Sequence, residues 1–117
     1  MPASTDPNLG MKYGWTQGES GWAADMDANL KRLGAIVGLS VKDRDLTAPP
    51  SGPTDGDRYI IPAGATGYWS GKTGQIAVWI AGAWEYYVPK VGWLAYIEDE
   101  AKLTVYKSTG WSAGVAM

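Results

Sequence analysis

The hydrophobic positions between residues 16 and 38 recur at the spacing of a helix. The recurring residues are separated by steps of 4, 4, 3 and 4: Trp22, Met26, Leu30, Leu33 and Val37. This period places their side chains on one face of an amphipathic helix, so they form the predicted packing face, against a sheet or against symmetry mates. Thr16 and Glu19 have the spacing of a capping box, and Ser20 is an alternative N-cap. Gly34 and Gly38 indicate the end of the helix.

The hydrophobic pattern changes after a Pro- and Gly-rich connector over residues 46–57, which can be neither a helix nor a central strand. Short apolar runs then alternate with polar positions and are bounded by Gly, Pro or charged turns. The predicted strands cover 58–61, 75–80, 84–88, 92–97, 103–106 and 111–113. Residues 1–15 are polar, carry no period and are predicted to form an extended N-terminal arm. The predicted fold is therefore α+β and mainly β: an arm over 1–15, then a single domain over 16–117 with one helix and an antiparallel β region over 58–113.

A weak internal repeat predicts two similar hairpins. The run from Ile76 to Trp79, followed by Trp84, matches the run from Leu103 to Tyr106, followed by Trp111, with an offset of twenty-seven residues. Each copy places two aromatic residues on either side of a short turn, where cross-strand aromatic pairs stabilise a sheet. We therefore predict that Trp79 pairs with Trp84 and Tyr106 with Trp111.

The composition limits the possible functions. With a net charge of −2 and no basic stripe, the 117-residue chain is not expected to bind nucleic acid, and it has no apolar run long enough to span a membrane. It contains neither His nor Cys, which removes the usual general base, the usual metal ligand and the thiolate nucleophile. Sixteen Gly and a modest supply of aliphatic residues indicate a chain that gains stability by forming oligomers.

The acidic residues are the remaining candidates for chemistry. Two D-x-D pairs are found at Asp43, Asp45, Asp55 and Asp57, and a run of three acids at Glu98, Asp99 and Glu100. Carboxylate pairs suit a Ca²⁺ site, but these motifs are equally typical of turns. Adjacent acids do not face each other across the gap that glycoside hydrolysis needs. We therefore predict no catalytic, cofactor-binding or metal-binding residues, and no cofactor.

The aromatic residues are all Trp or Tyr, seven of each, with no Phe. Both side chains carry a polar group, so they suit surfaces that are partly apolar and partly wet. Two interpretations are open: a platform on which a sugar ring stacks, or a core and subunit interface. The platform residues considered are Trp69, Trp79, Trp84, Trp93 and Trp111. Because hairpin pairing accounts for Trp79, Trp84 and Trp111, the predicted glycan or subunit contacts are Trp69, Tyr87, Trp93 and Tyr96.

An ordered series of short motifs resembles a phage-associated family called domain of unknown function 2793. The series covers roughly residues 9–113 and comprises NLKRL from Asn29, LSVKDRDLTAPP from Leu39, DGDRYI from Asp55, GATG from Gly64, Trp69, GQIA from Gly74, GAW from Gly82, GWLA from Gly92 and DEA from Asp99. The resemblance implies a module of tail-fibre proteins, or of gene-transfer-agent head spikes that bind host surface polysaccharide. It implies no catalytic residues.

Pattern and resemblance together predict a bacteriophage virion structural protein and not an enzyme. It would be made in the host cytoplasm and act in the virion as an oligomeric attachment or adaptor module of a tail-fibre or head-spike appendage, as a homotrimer. Its N-terminal arm would contact other tail or capsid proteins. The alternative is a carbohydrate-binding module that contacts host surface polysaccharide through Trp and Tyr.

Overall fold

The computed structural model describes residues 4–117 and contains, in that part of the chain, one α-helix and ten β-strands in three sheets. In chain order the elements are β1 (Ser4–Thr5), β2 (Lys12–Tyr13), α1 (Trp22–Ile36), β3 (Ser40–Val41), β4 (Arg58–Ile60), a 3-10 turn (Gly67–Trp69), β5 (Ile76–Ile80), β6 (Ala83–Tyr87), β7 (Leu94–Ile97), β8 (Lys102–Lys107), β9 (Gly110–Trp111) and β10 (Val115–Ala116). Most paired strands are antiparallel, so the predicted mainly β fold with one helix is confirmed.

The chain divides into two compact units, Met1–Val37 and Gly38–Met117. The sequence predicted one domain over 16–117 that contains both the helix and the β region. In the structure α1 groups with the residues that precede it. The two units are therefore described separately.

The first unit begins with a hairpin of β1 and β2 whose loop is organised by Asp6. The Asp6 carboxylate accepts hydrogen bonds from the backbone N–H groups of Asn8, Leu9 and Met11 at 2.8, 3.1 and 2.7 Å. These bonds favour the ionised carboxylate and hold the pKa of Asp6 below its ordinary value. The Asp6 side chain thus supplies hydrogen-bond acceptors for loop N–H groups that the short β1–β2 pairing leaves without strand partners.

The hairpin is joined to α1 by polar contacts. The buried Asn29 side chain accepts a hydrogen bond from the N–H of Lys12 at 2.8 Å and donates one to the carbonyl of Lys12 at 2.9 Å. The Arg32 guanidinium donates to the carbonyl of Leu9 at 3.1 Å. The prediction of an extended arm therefore does not hold for residues 4–15, because helix side chains satisfy its backbone groups; residues 1–3 of the predicted arm lie outside the described residues.

Helix α1 begins at Trp22, six residues later than predicted. The Glu19 carboxylate does accept a hydrogen bond from the Thr16 N–H at 2.9 Å, as in a capping box. However, Gly18 and Gly21 have φ angles of 79° and 84°, in the left-handed region, so the turn between them cannot continue as a right-handed helix. The capping-box spacing thus correctly predicted the contact between Thr16 and Glu19, but the helix begins at Trp22 and not at this box.

The second unit contains a three-stranded sheet in the order β4-β5-β6 and a sheet in the order β10-β8-β7-β3, with β9 paired to β8. All six predicted strands are found, with shifts of one or two residues at their ends. Strand β3 pairs in parallel with β7, an arrangement that hairpin reasoning did not predict, and β10 was also missed. The connector over 46–57 contains no helix or strand, as predicted.

An arginine links three segments of this unit. Arg44 forms a bidentate ion pair with Glu100, with both N–O distances at 2.9 Å, and donates to the carbonyls of Ser112 and Ala113 at 2.8 and 2.7 Å. The guanidinium lowers the pKa of Glu100, and the carboxylate raises the pKa of Arg44. The planar fork of arginine matches this arrangement, which joins the segment after β3 to the β7–β8 loop and to the segment after β9.

Candidate functional site

The first aromatic pair lies at the turn between β5 and β6. Trp79 is the cross-strand partner of Trp84, and their rings meet edge to face with centroids 5.3 Å apart. Ile80 pairs with Ala83, so the loop contains only Ala81 and Gly82, both with positive φ. The predicted pairing is confirmed, and it places two indoles at one end of the sheet.

The second predicted pair is also confirmed. Tyr106 and Trp111 are cross-strand partners with ring centroids 5.1 Å apart. The Trp111 indole donates a hydrogen bond from Nε1 to the carbonyl of Gly74 at 2.8 Å. This bond ties the β8–β9 hairpin to the loop before β5, so Trp111 has a structural contact on each side of its ring.

Beside the first pair lie two shallow concavities that are both lined by Tyr68, Trp79 and Trp84. One, of about 380 Å³, is completed by Gly82, Ala83 and Tyr86. The other, of about 390 Å³, is completed by Pro49, Pro50, Gly52, Pro53 and Gly67. We call these two concavities together the Tyr68 surface. Tyr68 is 79% exposed and lines both concavities together with other aromatic rings and prolines.

The backbone at Tyr68 is held by a hydrogen bond and by the buried side chain of the next residue. The hydroxyl of Tyr86 donates a hydrogen bond to the Tyr68 carbonyl at 2.9 Å, and burial raises the pKa of Tyr86. The next residue, Trp69, is fully buried and packs against Tyr59 and Trp84 at 5.5 and 5.3 Å between ring centroids. An exposed ring on such an anchored backbone loses little freedom when it binds a ligand.

The predicted contact residues are placed differently. Trp69 and Tyr87 are 0% and 5% exposed, so neither presents a face to a glycan or a subunit, and this part of the prediction is corrected. Their burial follows from the fold: Trp69 fills the core with Tyr59, and Tyr87 pairs with the buried Ile76. Trp93 is partly buried and Tyr96 is 36% exposed on β7; whether they bind anything stays a prediction.

The sequence analysis did not select Tyr68, which lies in the Gly-rich segment 64–74 outside the predicted strands. No local signal in the sequence distinguishes the exposed Tyr68 from the buried Trp69 beside it. Trp79 and Trp84, considered first as platform residues, are part of the Tyr68 surface as well as of the hairpin pair.

Two charged groups contact residues that line this surface or lie next to its lining. The Lys72 ammonium is 4.4 Å from the centroid of the Tyr86 ring, within the range of a cation–π interaction. Asp55 accepts a hydrogen bond from the N–H of Ala81 at 3.1 Å, next to Gly82. The surface can thus offer aromatic faces for stacking and, beside its lining residues, one cation and one carboxylate.

A second exposed apolar surface lies on α1 and its C-cap residue Val37, in the first unit. Trp22, Leu30, Leu33 and Val37 are between 39% and 58% exposed, while Met26 between them is partly buried. We call these five residues the α1 stripe. The buried helix positions are Asn29, Ala35 and Ile36. Within the first unit, the predicted packing face is thus largely uncovered, and what packs against it, a sheet or symmetry mates, stays a prediction.

The acidic motifs mostly make contacts within the fold. Asp57 pairs with Lys42 at 3.7 Å and accepts the N–H of Thr54 at 2.9 Å. Glu98 accepts a hydrogen bond from the Ser40 hydroxyl at 2.7 Å, and Glu100 is held by Arg44.

Carboxylates of three acids lie within 4.8 Å of one another: Asp43, Asp45 and Asp99. Burial raises the pKa of Asp99, with Asp43 as the next cause. The Asp43 carboxylate also accepts the N–H of Asp45 at 2.6 Å. The two D-x-D pairs do not converge, and exposed acidic groups of this kind are common without an ion, so the cluster carries no metal assignment.

Across residues 4–117 there is no helix with the length and apolar character needed to cross a bilayer. A search of curated proteins finds no match to the chain. A protein-family model, described as "Protein of unknown function (DUF2793)", matches residues 26–112, which include most of α1 and the sheet residues that carry the Tyr68 surface. The match covers about three quarters of the chain, as the ordered motifs predicted, and the chain therefore belongs to the DUF2793 family.

Proposed function

We propose that this protein is a structural component of a bacteriophage virion, made in the host cytoplasm, and an oligomeric attachment or adaptor module of a tail-fibre or head-spike appendage. The observation that carries the proposal is the presence of two exposed apolar surfaces in separate units, the α1 stripe and the Tyr68 surface. An adaptor needs one surface for assembly and another for its target. The family resemblance supplies the virion context.

The contacts of the acidic residues support a non-enzymatic role. Glu100 is engaged by Arg44, Asp57 by Lys42, and Asp6 by three backbone N–H groups. These contacts give the three carboxylates a structural role that requires no substrate. We propose that the chain works by binding and assembly, as a homotrimer that contacts other virion proteins through its N-terminal hairpin.

Localisation in purified particles tests this proposal. An antibody against the chain should label intact virions at the tail or the head in electron microscopy, and the protein should copurify with particles through a density gradient. Particles that lack the gene provide the control for the antibody. A protein recovered only from the soluble fraction of lysed cells, and never from particles, would contradict the proposal.

A second candidate function, carbohydrate binding, is favoured by the Tyr68 surface itself. Three aromatic rings surround two adjacent concavities, and the apolar face of a sugar ring stacks on such rings while its hydroxyl groups reach polar neighbours. Lys72 contacts the Tyr86 ring, and Asp55 binds the N–H of Ala81 beside Gly82. Host surface polysaccharide is therefore the proposed ligand of this surface.

A matched pair of tyrosine variants tests the second candidate. Tyr68→Ala removes the exposed ring of the proposed site, whereas Tyr13→Ala removes a ring that is 53% exposed in the other unit. Titration with purified host surface polysaccharide, followed by tryptophan fluorescence, should show binding that Tyr68→Ala weakens at least tenfold and Tyr13→Ala leaves unchanged. Equal binding by both variants would exclude this surface as the glycan site.

A further inference from the structure

We propose that the second unit carries a further carbohydrate site, separate from the Tyr68 surface, at the hairpin of β8 and β9. The ligand of this site is an uncharged sugar residue. The inference deepens the second candidate function, carbohydrate binding, and rests on it. Four observations support it: a concavity, a pair of aromatic rings, a set of free hydroxyl groups and a balanced charge.

The first observation is a concavity of about 410 Å³ within the second unit. Its lining comes from the end of β4 and the segment after it, the segment before β5, the β8–β9 hairpin and Arg44. Binding sites for small molecules usually enclose roughly 300–1,000 Å³, so this concavity has room for a small ligand. The lining residues assigned to the ligand are Arg44, Thr73, Tyr106, Ser108, Thr109 and Trp111.

The second observation is the aromatic pair of this hairpin. Tyr106 and Trp111 both line the concavity, and Trp111 is held there because its indole N–H donates to a backbone carbonyl. The Trp79–Trp84 pair lines the Tyr68 surface in the same way. Both copies of the sequence repeat therefore place an aromatic pair beside a concavity.

The third observation concerns hydroxyl groups. Thr73, Ser108 and Thr109 are exposed, and their hydroxyls make no hydrogen bond to any part of the chain that the structure describes. By contrast, the Thr104 hydroxyl on β8 is bonded to Ser112 within the fold. A free hydroxyl both donates and accepts, and it can exchange bound water for the hydroxyl of a ligand. Three such groups around one concavity suit a ligand that itself carries several hydroxyls.

The fourth observation is the charge. Among the described residues that line the concavity, Arg44 alone is charged, and its bidentate pair with Glu100 balances that charge. A phosphate or carboxylate ligand would have to compete with Glu100 for the guanidinium. Four of the five N–H groups of Arg44 donate to Glu100, Ser112 and Ala113, which leaves one, on Nη1, for a neutral acceptor. The site therefore favours an uncharged ligand.

The rings and the hydroxyl groups together specify the class of ligand. A sugar residue has an apolar C–H face that packs against an aromatic side chain, and hydroxyl groups at its edge that bond to polar neighbours. A purely apolar ligand would displace water from the free hydroxyls without replacing its hydrogen bonds. An uncharged sugar residue matches both parts of the lining.

Nuclear magnetic resonance tests the site because the Trp111 indole N–H is a reporter within it. This group gives its own signal in a proton–nitrogen correlation spectrum, as do the backbone N–H groups of Gly74 and Gly110, which also line the concavity. The probe is the uncharged fraction of oligosaccharides released from host surface polysaccharide. Titration should shift these three signals together, with one dissociation constant. Gly82 reports on the Tyr68 surface in the same spectra.

A double variant and two controls assign the binding to the hairpin. Thr73→Ala combined with Ser108→Ala removes two of the free hydroxyls and should weaken binding at Trp111 at least about fivefold. Ser20→Ala removes an exposed hydroxyl of the first unit and should leave the dissociation constant unchanged. Tyr68→Ala should also leave it unchanged. The signals distant from the substitutions show whether each variant keeps its fold.

The spectra separate failure of this inference from failure of the Tyr68 surface. Shifts at Trp111 that persist in Tyr68→Ala would support the inference even if Gly82 does not respond. Shifts at Gly82 without shifts at Trp111 would overturn it and leave the Tyr68 surface as the carbohydrate site. The absence of shifts at both would overturn both sites. A response of Trp111 to the charged oligosaccharides alone would overturn the assignment of an uncharged ligand.

Discussion

Asn29 completes the second strand of the N-terminal hairpin from a neighbouring helix. Its side-chain oxygen accepts the Lys12 N–H at 2.8 Å and its side-chain nitrogen donates to the Lys12 carbonyl at 2.9 Å, which are the two bonds that another strand would make. Asn29 is buried, whereas several apolar residues of the same helix are not. The first unit is thus joined at this point by hydrogen bonding of a polar side chain.

Replacing Asn29 by Ala should destabilise this unit. The change removes both bonds and leaves two backbone groups of Lys12 without these partners, at a cost of about 1–3 kcal/mol. Amide hydrogen exchange should show faster exchange of the Lys12 N–H. The exposed Gln17→Ala is the control, and equal exchange in the two variants would show that the Asn29 contact does not hold the hairpin.

The Arg44–Glu100 pair should make the stability of the second unit depend on pH. The folded pKa of Glu100 lies below its ordinary value of 4.5, so its contribution is present above about pH 4.5 and is lost as the pH falls through the folded pKa. Arg44→Ala should therefore destabilise the unit more near pH 7 than at a pH below the folded pKa of Glu100, where only the hydrogen bonds of Arg44 to the carbonyls of Ser112 and Ala113 are lost. Urea unfolding of the native chain and of Arg44→Ala, at neutral and at low pH, measures the difference in their free energies of unfolding. A difference that is the same at both pH values would contradict the prediction.

The turn between β5 and β6 should accept a stabilising substitution. Ala81 has a φ of 55°, a left-handed conformation that is costly for a residue with a Cβ, in a two-residue loop that favours Asn-Gly. Ala81→Asn should raise the unfolding free energy by about 0.5–1 kcal/mol. Thermal unfolding measures the change, with Gly82→Ala, at a φ of 78°, expected to lower it. A lower melting temperature for Ala81→Asn would show that the turn carries no such strain.

The hydrogen bond from the Trp111 indole to the Gly74 carbonyl should stabilise the fold in addition to the packing of the Trp111 ring. Trp111→Phe keeps an aromatic partner for Tyr106 but removes the donor to the Gly74 carbonyl, at a cost of about 1–2 kcal/mol beyond the loss of ring volume. Trp79→Phe, which keeps a ring against Trp84, provides the comparison. Chemical unfolding that ranks the two variants equally would show that the Gly74 bond adds nothing.

The periodicity of the sequence predicted the structural features that depend on residues of a single element or a single hairpin. The helix face, the strands of the β region and both aromatic pairs follow from residues that are close in sequence. The parallel pairing of β3 with β7 could not be predicted, since it joins residues more than fifty positions apart through strands of which β3 has only two residues.

The sequence also could not decide which faces are covered. The period shows that Leu30 and Val37 share a face, but exposure depends on what packs against the helix, and here Asn29 makes the close contact. In the same way, nothing local distinguishes Trp69, which is buried, from Tyr68 beside it. The sequence therefore predicted that Trp and Tyr form the candidate site, and the structure showed which of them are exposed.

The shallowness of the Tyr68 surface has a consequence for binding strength. One site of this kind is expected to hold a sugar only weakly, because it is open and offers few polar groups. Assembly of the proposed oligomer would present several copies on one particle to a repeating polymer, so that each further contact forms at a high effective concentration. Avidity of this kind can exceed the affinity of a single site by about 10²–10⁴-fold. Weak sites would then allow an appendage to release and rebind along a polysaccharide while the whole assembly stays attached.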